Sequence, residues 1–122
     1  MSRRMLNRRE DATAVVEFAI LLPVLVMLVF GIIEFGRYYN ATISLTHAAR
    51  EAVRRVALNT GNAVTAGQTA ASPLTVTVTT GPACTVGANA TATVSYVFSY
   101  DIPLVKSGSG TISETAVMKC GG

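Results

Sequence analysis

The sequence predicts an α+β protein: a long N-terminal helix, partly transmembrane, with a small three-stranded antiparallel sheet packed on its outer half. Three observations predict this. From Ala12 to Ile33 the only charged residue is Glu17, an apolar run of about 22 residues against the roughly 20 that cross a bilayer. Helical spacing of apolar residues then continues to Val56, with no strong breaker but Pro23. After Pro73 the period changes to two, in stretches rich in β-branched and aromatic residues.

Residues 1–12 read as a basic cytoplasmic leader. Arg3, Arg4, Arg8 and Arg9 crowd the first nine positions, and after Arg55 the only basic residues are Lys106 and Lys119. A basic cluster ahead of an apolar run places the N-terminus in the cytoplasm and the remainder across the membrane. The net charge of +3 is therefore not spread over a face, and no basic stripe with aromatics marks a nucleic-acid surface.

Residues 13–36 read as the transmembrane helix. A secretory signal peptide would have a 7–15-residue apolar core and a small-residue cleavage site. Here the run is longer, and Glu34, Arg37, Tyr38 and Tyr39 follow it. An unprocessed signal anchor is a second reading. A third starts from Glu17, because a carboxylate at mid-bilayer costs about 2.5–3.5 kcal/mol even on the gentlest scales. If the chain is cut between Ala12 and Thr13, Thr13 acquires a free α-amine and Glu17 becomes the fifth residue. Positions i and i+4 adjoin on a helix, and a helix start is electropositive. Glu17 would then face a real positive charge, from its own chain or from an adjacent subunit; the bland alternative is a carboxylate that reaches the headgroups alone. Pro23 removes one backbone hydrogen bond and is expected to kink the helix, which a membrane helix tolerates.

Residues 37–58 read as an outer, amphipathic continuation of the helix. Leu45, Ala49, Ala52, Val53 and Val56 form one stripe, while Arg50, Glu51, Arg54 and Arg55 sit largely off it. Glu51 and Arg55 form an i,i+4 pair, and Glu34 and Arg37 a local surface pair. Asn59-Thr-Gly61 is the stop signal. Residues 59–72, small and polar, read as a flexible linker.

Residues 73–122 read as a small β domain. "LTVTVTT" (74–80) and "ATATVSYVFSY" (90–100) alternate, and "GTISETAVMK" (110–119) is a less regular third strand. Asp101-Ile-Pro103 and Gly108-Ser-Gly110 punctuate the return to it. Such a sheet needs a cover, and the Leu45–Val56 stripe is the candidate in this chain. Phe98 is expected in the core, with the Tyr96 hydroxyl at an edge. Cys84 and Cys120 fall at the same end of this meander on the outer side. A disulfide between them is expected, against the alternative of two free thiols.

The pattern of basic leader, small residue, four residues, Glu17-Phe18 and apolar helix resembles the processing site of type IV pilin-like proteins. "ATAVVEFAILLPVLVMLVFGIIEFGR" (12–37), "AAREAVRRVA" (48–57) and the ending "ETAVMK" (114–119) resemble the TadE-like family, pilin-related subunits of the bacterial tight-adherence system. Where pilin-like leaders usually carry glycine before the cut, this chain has Ala12. The resemblance implies a minor pilin or pseudopilin that helps assemble a type IV pilus-like fibre. Its junction would be Ala12–Thr13, and its assembly residues Glu17 and Phe18. Its partners would be the membrane, a prepilin-type peptidase, other pilin-like subunits and an inner-membrane assembly platform. It would reside as a single-pass protein of the inner membrane and enter a surface pilus.

The alternative is a permanently anchored protein whose outer domain binds an envelope partner. His47 and two cysteines do not make a zinc site, and no catalytic constellation stands out. The expectation is a non-enzyme without cofactor, metal, nucleic acid or small-molecule substrate.

Overall fold

The computed structural model describes residues 2–121, with side chains from residue 7 onward. The Arg3 and Arg4 side chains of the expected leader lie outside the described residues. Helix α1 runs Ser2–Ala57, 56 residues or roughly 84 Å at 1.5 Å per residue. It passes through Pro23 without interruption. The expected leader is thus no separate element: its backbone is the first part of α1, as its Leu, Arg, Glu and Ala content favours.

Helix α1 stops in a Schellman arrangement. Asn59 takes a left-handed φ of 51°, the Thr60 amide donates to the Arg55 carbonyl (3.1 Å), and the Asn59 amide to Val56 (3.1 Å). Gly61, at φ 62°, completes the turn. The stop signal read at Asn59–Gly61 is the one used.

The expected flexible linker over 59–72 is corrected by a second helix, α2, at Ala63–Ala71. Asn62 caps it, its side-chain oxygen accepting from the Thr65 amide at 3.1 Å. The helix ends at Ser72, ahead of Pro73, where an extended backbone is preferred. It packs through its smallest residues. Gly67 and Ala71 are buried, and a Cβ added at Gly67 would lie 2.9 Å from a Val78 methyl and 3.2 Å from the Ala52 Cβ. Alanines and one glycine fail to produce a large-residue stripe, so the segment reads as polar linker although it buries a face.

The sheet is an antiparallel meander, β1 (Thr77–Thr80), β2 (Asn89–Ile102) and β3 (Lys106–Lys119), in the order β1-β2-β3. Strand β1 is shorter than the alternation over 74–80 predicts and pairs only with Ala92–Ser95. Val76 is buried nonetheless, just ahead of the ladder. Strand β3 is longer than expected. Gly108 and Gly110 lie inside the ladder, opposite Tyr100 and Phe98. A Cβ at Gly108 would lie 2.8 Å from the Tyr100 hydroxyl oxygen, so the glycine admits the ring across the strands.

The core is where the sheet and α2 meet the last third of α1. Ala41, Leu45, Ala48, Ala49, Ala52, Val53 and Ala57 are buried against Val76, Val78, Ala90, Ala92, Val94, Phe98 and Ile112. The predicted stripe is therefore the covered face, with Val56 partly buried at its side. Full burial of Leu45 is worth about 1.5–3 kcal/mol. The alanines around it let the sheet approach closely. The opposite sheet face is mostly polar, Val97 and Val117 apart, with Thr93 and Thr115 hydroxyls 2.9 Å apart across the strands.

Cys84 and Cys120 are bonded, their Cα atoms 5.6 Å apart. The Cys120 amide donates to Ala88 (2.9 Å) and the Gly121 amide to the Ala57 carbonyl (3.1 Å). The start of β2, the end of β3 and the end of α1 are thereby held together.

Candidate functional site

From residue 7 to residue 33, the side chains of α1 are largely exposed in this chain. Val15, Phe18, Ile20, Leu21, Leu25, Leu28, Val29, Ile32 and Phe35 are among its exposed apolar side chains, distributed around the helix. Its most apolar 18-residue window has a mean hydropathy of 2.7 and nothing buried, and α1 is long and apolar enough to cross a membrane. A helix apolar all round is a helix whose surroundings are apolar. At about 30 Å, a hydrocarbon layer would take only part of its length.

Within this bare segment, Arg9, Thr13, Ala14 and Glu17 line one shallow groove along the helix. The Thr13 hydroxyl donates to the Arg9 carbonyl at 2.9 Å. Thr13 and Glu17 therefore share a face, as the i,i+4 spacing requires. Among the described residues the ion pairs are Glu34–Arg37 and Glu51–Arg55, and Glu17 takes part in neither. Phe18, next along, is 60% exposed. Ala12 and Thr13 lie inside the helix, in continuous helical backbone.

A collar marks the change from bare to covered helix. Arg37 bonds Glu34 through both carboxylate oxygens (2.8 and 3.0 Å), and its guanidinium carbon lies 5.5 Å from the Phe98 ring centroid. Tyr38 meets the same ring edge-on, with centroids 5.7 Å apart. Tyr96 flanks Phe98 at 6.5 Å, and Phe35 stacks with Tyr39. Sequence reading places Glu34–Arg37 as a local pair and Phe98 in the core. It does not foresee that Arg37 joins the two, because a guanidinium over a ring 61 residues later leaves no local pattern. Glu51 and Arg55 form the other expected pair, at 3.1 Å.

His47 is exposed on α1, and among the described residues no three His, Cys, Asp or Glu side chains cluster as a metal site. Thr46, Arg50 and Val53 of α1 and Glu114–Met118 of β3 line a groove between helix and sheet.

A membrane-length helix, largely exposed over residues 7–33 and sheathed beyond by a disulfide-pinned sheet, defines a class: an α+β protein built on an apolar stalk. Residues 12–54 match the family model described as TadE-like protein, and over that stretch the chain is similar to that family. The match begins at Ala12 and ends within the covered part of α1, so the sheet lies outside it. That family is pilus-related and structural, and is not known as enzymatic. No curated protein and no solved structure matches the chain.

Proposed function

We propose that the protein is a minor pilin or pseudopilin-type subunit that helps assemble a tight-adherence pilus after a prepilin-type peptidase cuts between Ala12 and Thr13. The observation that carries this reading is the bare helix: a long apolar surface, left uncovered by its own chain, with one carboxylate at the fifth position after the proposed junction. Removal of residues 1–12 takes away the arginines that hold the helix start at the cytoplasmic side. The helix can then leave lipid for a bundle of like helices at an assembly platform, exchanging one apolar environment for another. Glu17 pairs there with the new Thr13 amine, on its own chain or on a neighbour, and fixes the axial register of the bundle. Phe18 packs between helices, and Pro23 permits a local bend. The outer sheet forms the exposed surface.

An unprocessed single-pass anchor, its outer domain binding an envelope partner, is the second reading. The helical backbone at Ala12–Thr13 favours it, since proteolysis normally acts on unfolded segments and this junction must first unwind. Intact-mass measurement of the protein from membranes and sheared fibres separates the two. The pilin reading expects a mass beginning at Thr13, and Glu17→Ala to abolish incorporation into fibres while membrane insertion persists. A mass retaining Met1–Ala12 in peptidase-containing cells, with Glu17→Ala without effect, overturns it.

A further inference from the structure

The turn between β2 and β3 is the most exposed apolar feature of the outer domain near the collar. Its residues are Ile102, Pro103, Leu104 and Val105, with Leu104 88% and Val105 62% exposed. The Val105 amide donates to the Ile102 carbonyl at 3.1 Å, with Pro103 at the second position and Leu104 at φ 66° at the third. That is the outline of a type II turn, whose third position normally goes to glycine or asparagine. Here a bulky apolar residue occupies the left-handed position and faces outward.

Register along the helix places this turn. Strand β2 runs opposite to α1: its start lies beside Ala57, through Ala88, Cys120 and Gly121, and its Phe98 lies on Arg37 and Tyr38. Ile102 is four residues past Phe98, or roughly 13 Å further in the same direction. Ile33, the outer end of the uncharged run, is five residues from Tyr38, or roughly 7.5 Å along the helix. Even a strand inclined to the helix brings the turn to the level of Ile33. Lys106 follows the turn, and Tyr38, Tyr39 and Tyr100 lie on the side away from the bilayer centre. Basic and tyrosine side chains above an apolar tip match the headgroup layer of a phospholipid bilayer.

We propose that the β2–β3 turn is a second membrane contact. Ile102, Pro103, Leu104 and Val105 enter the outer interfacial layer of the bilayer that α1 crosses, and Lys106 lies among the lipid phosphates. The outer domain is then seated on the membrane at two points, helix and turn, which fixes its orientation before any assembly. This rests on α1 crossing the bilayer and is independent of cleavage at Ala12–Thr13.

The chain contains no tryptophan, so a single introduced one is a clean reporter. The full chain is reconstituted in phosphatidylcholine–phosphatidylglycerol vesicles as Leu104→Trp, with Val105→Trp as a second variant should the first disturb the turn. Phe30→Trp reports the span, and Val86→Trp the opposite, water-exposed end. The expected result is a blue-shifted emission at 104 and 105 relative to 86, quenched by lipids brominated near the top of the acyl chains. Water-like, unquenched emission at both turn positions, with residue 30 quenched by deep bromines, overturns the proposal and leaves the span intact. A blue shift without lipid quenching overturns it too, and marks a protein–protein contact. Loss of quenching at residue 30 removes the span itself, and the turn contact with it.

Discussion

Residues 7–40 and 41–57 of α1 belong to one helix and face two different surroundings. In the first stretch the apolar positions are mostly large, valine, leucine, isoleucine and phenylalanine, all exposed to some degree. In the second the buried positions are mostly alanine, with Leu45 and Val53 between them. Small side chains stand where the sheet and α2 must come close. Large ones stand where nothing in the chain competes for the space. The helix thus carries two packing codes, and only the second is answered within the chain.

That contrast can be broken from the covered side first. Replacing Cys84 and Cys120 together by serine opens a closure spanning a sequence separation of 36, which on chain-entropy grounds costs about 4 kcal/mol. Chemical denaturation of the full chain in detergent, followed by exchange of outer-domain amides, is expected to show that loss, with the helicity of residues 13–36 retained. Leu45→Ala and Leu25→Ala sharpen the comparison, since they remove the same atoms from the two halves. Leu45 is wholly buried, so its truncation is expected to destabilise the outer domain by about 2–5 kcal/mol. Leu25 is 49% exposed and lies outside the outer-domain core, so its truncation should leave the same denaturation curve in place. The smallest effect belongs to the cap of α2. Asn62→Ala removes the acceptor for the Thr65 amide and is expected to cost about 1 kcal/mol, read as faster exchange confined to residues 63–71.

The two halves were not equally legible in sequence. The covered face of α1 could be read from Leu45, Ala49, Ala52 and Val53 because large and small apolar residues recur at helical spacing. The strands were legible from alternation, and the cysteines from the ends that the meander brings together. Helix α2 was not, because Gly67 and Ala71 bury by being small and give no periodic signal. The early part of β3 was not, because Gly108 and Gly110 look like turn residues until their partners Tyr100 and Phe98 are known. At the candidate site, Glu17 is conspicuous in the sequence as an anion among apolar residues. Among the described residues Glu17 makes no ion pair, so the cleavage and incorporation experiments are what test its proposed role.

No loop separates the apolar stalk from the sheet-bearing part of α1, and this has a mechanical consequence. Each residue turns a helix by about 100°, so the azimuth of the stalk dictates the compass bearing of the Ser- and Thr-rich sheet face. A neighbour that grips the stalk steers that face like a key steering its bit. One alanine inserted between Phe35 and Ala41 would swing it about a quarter-turn.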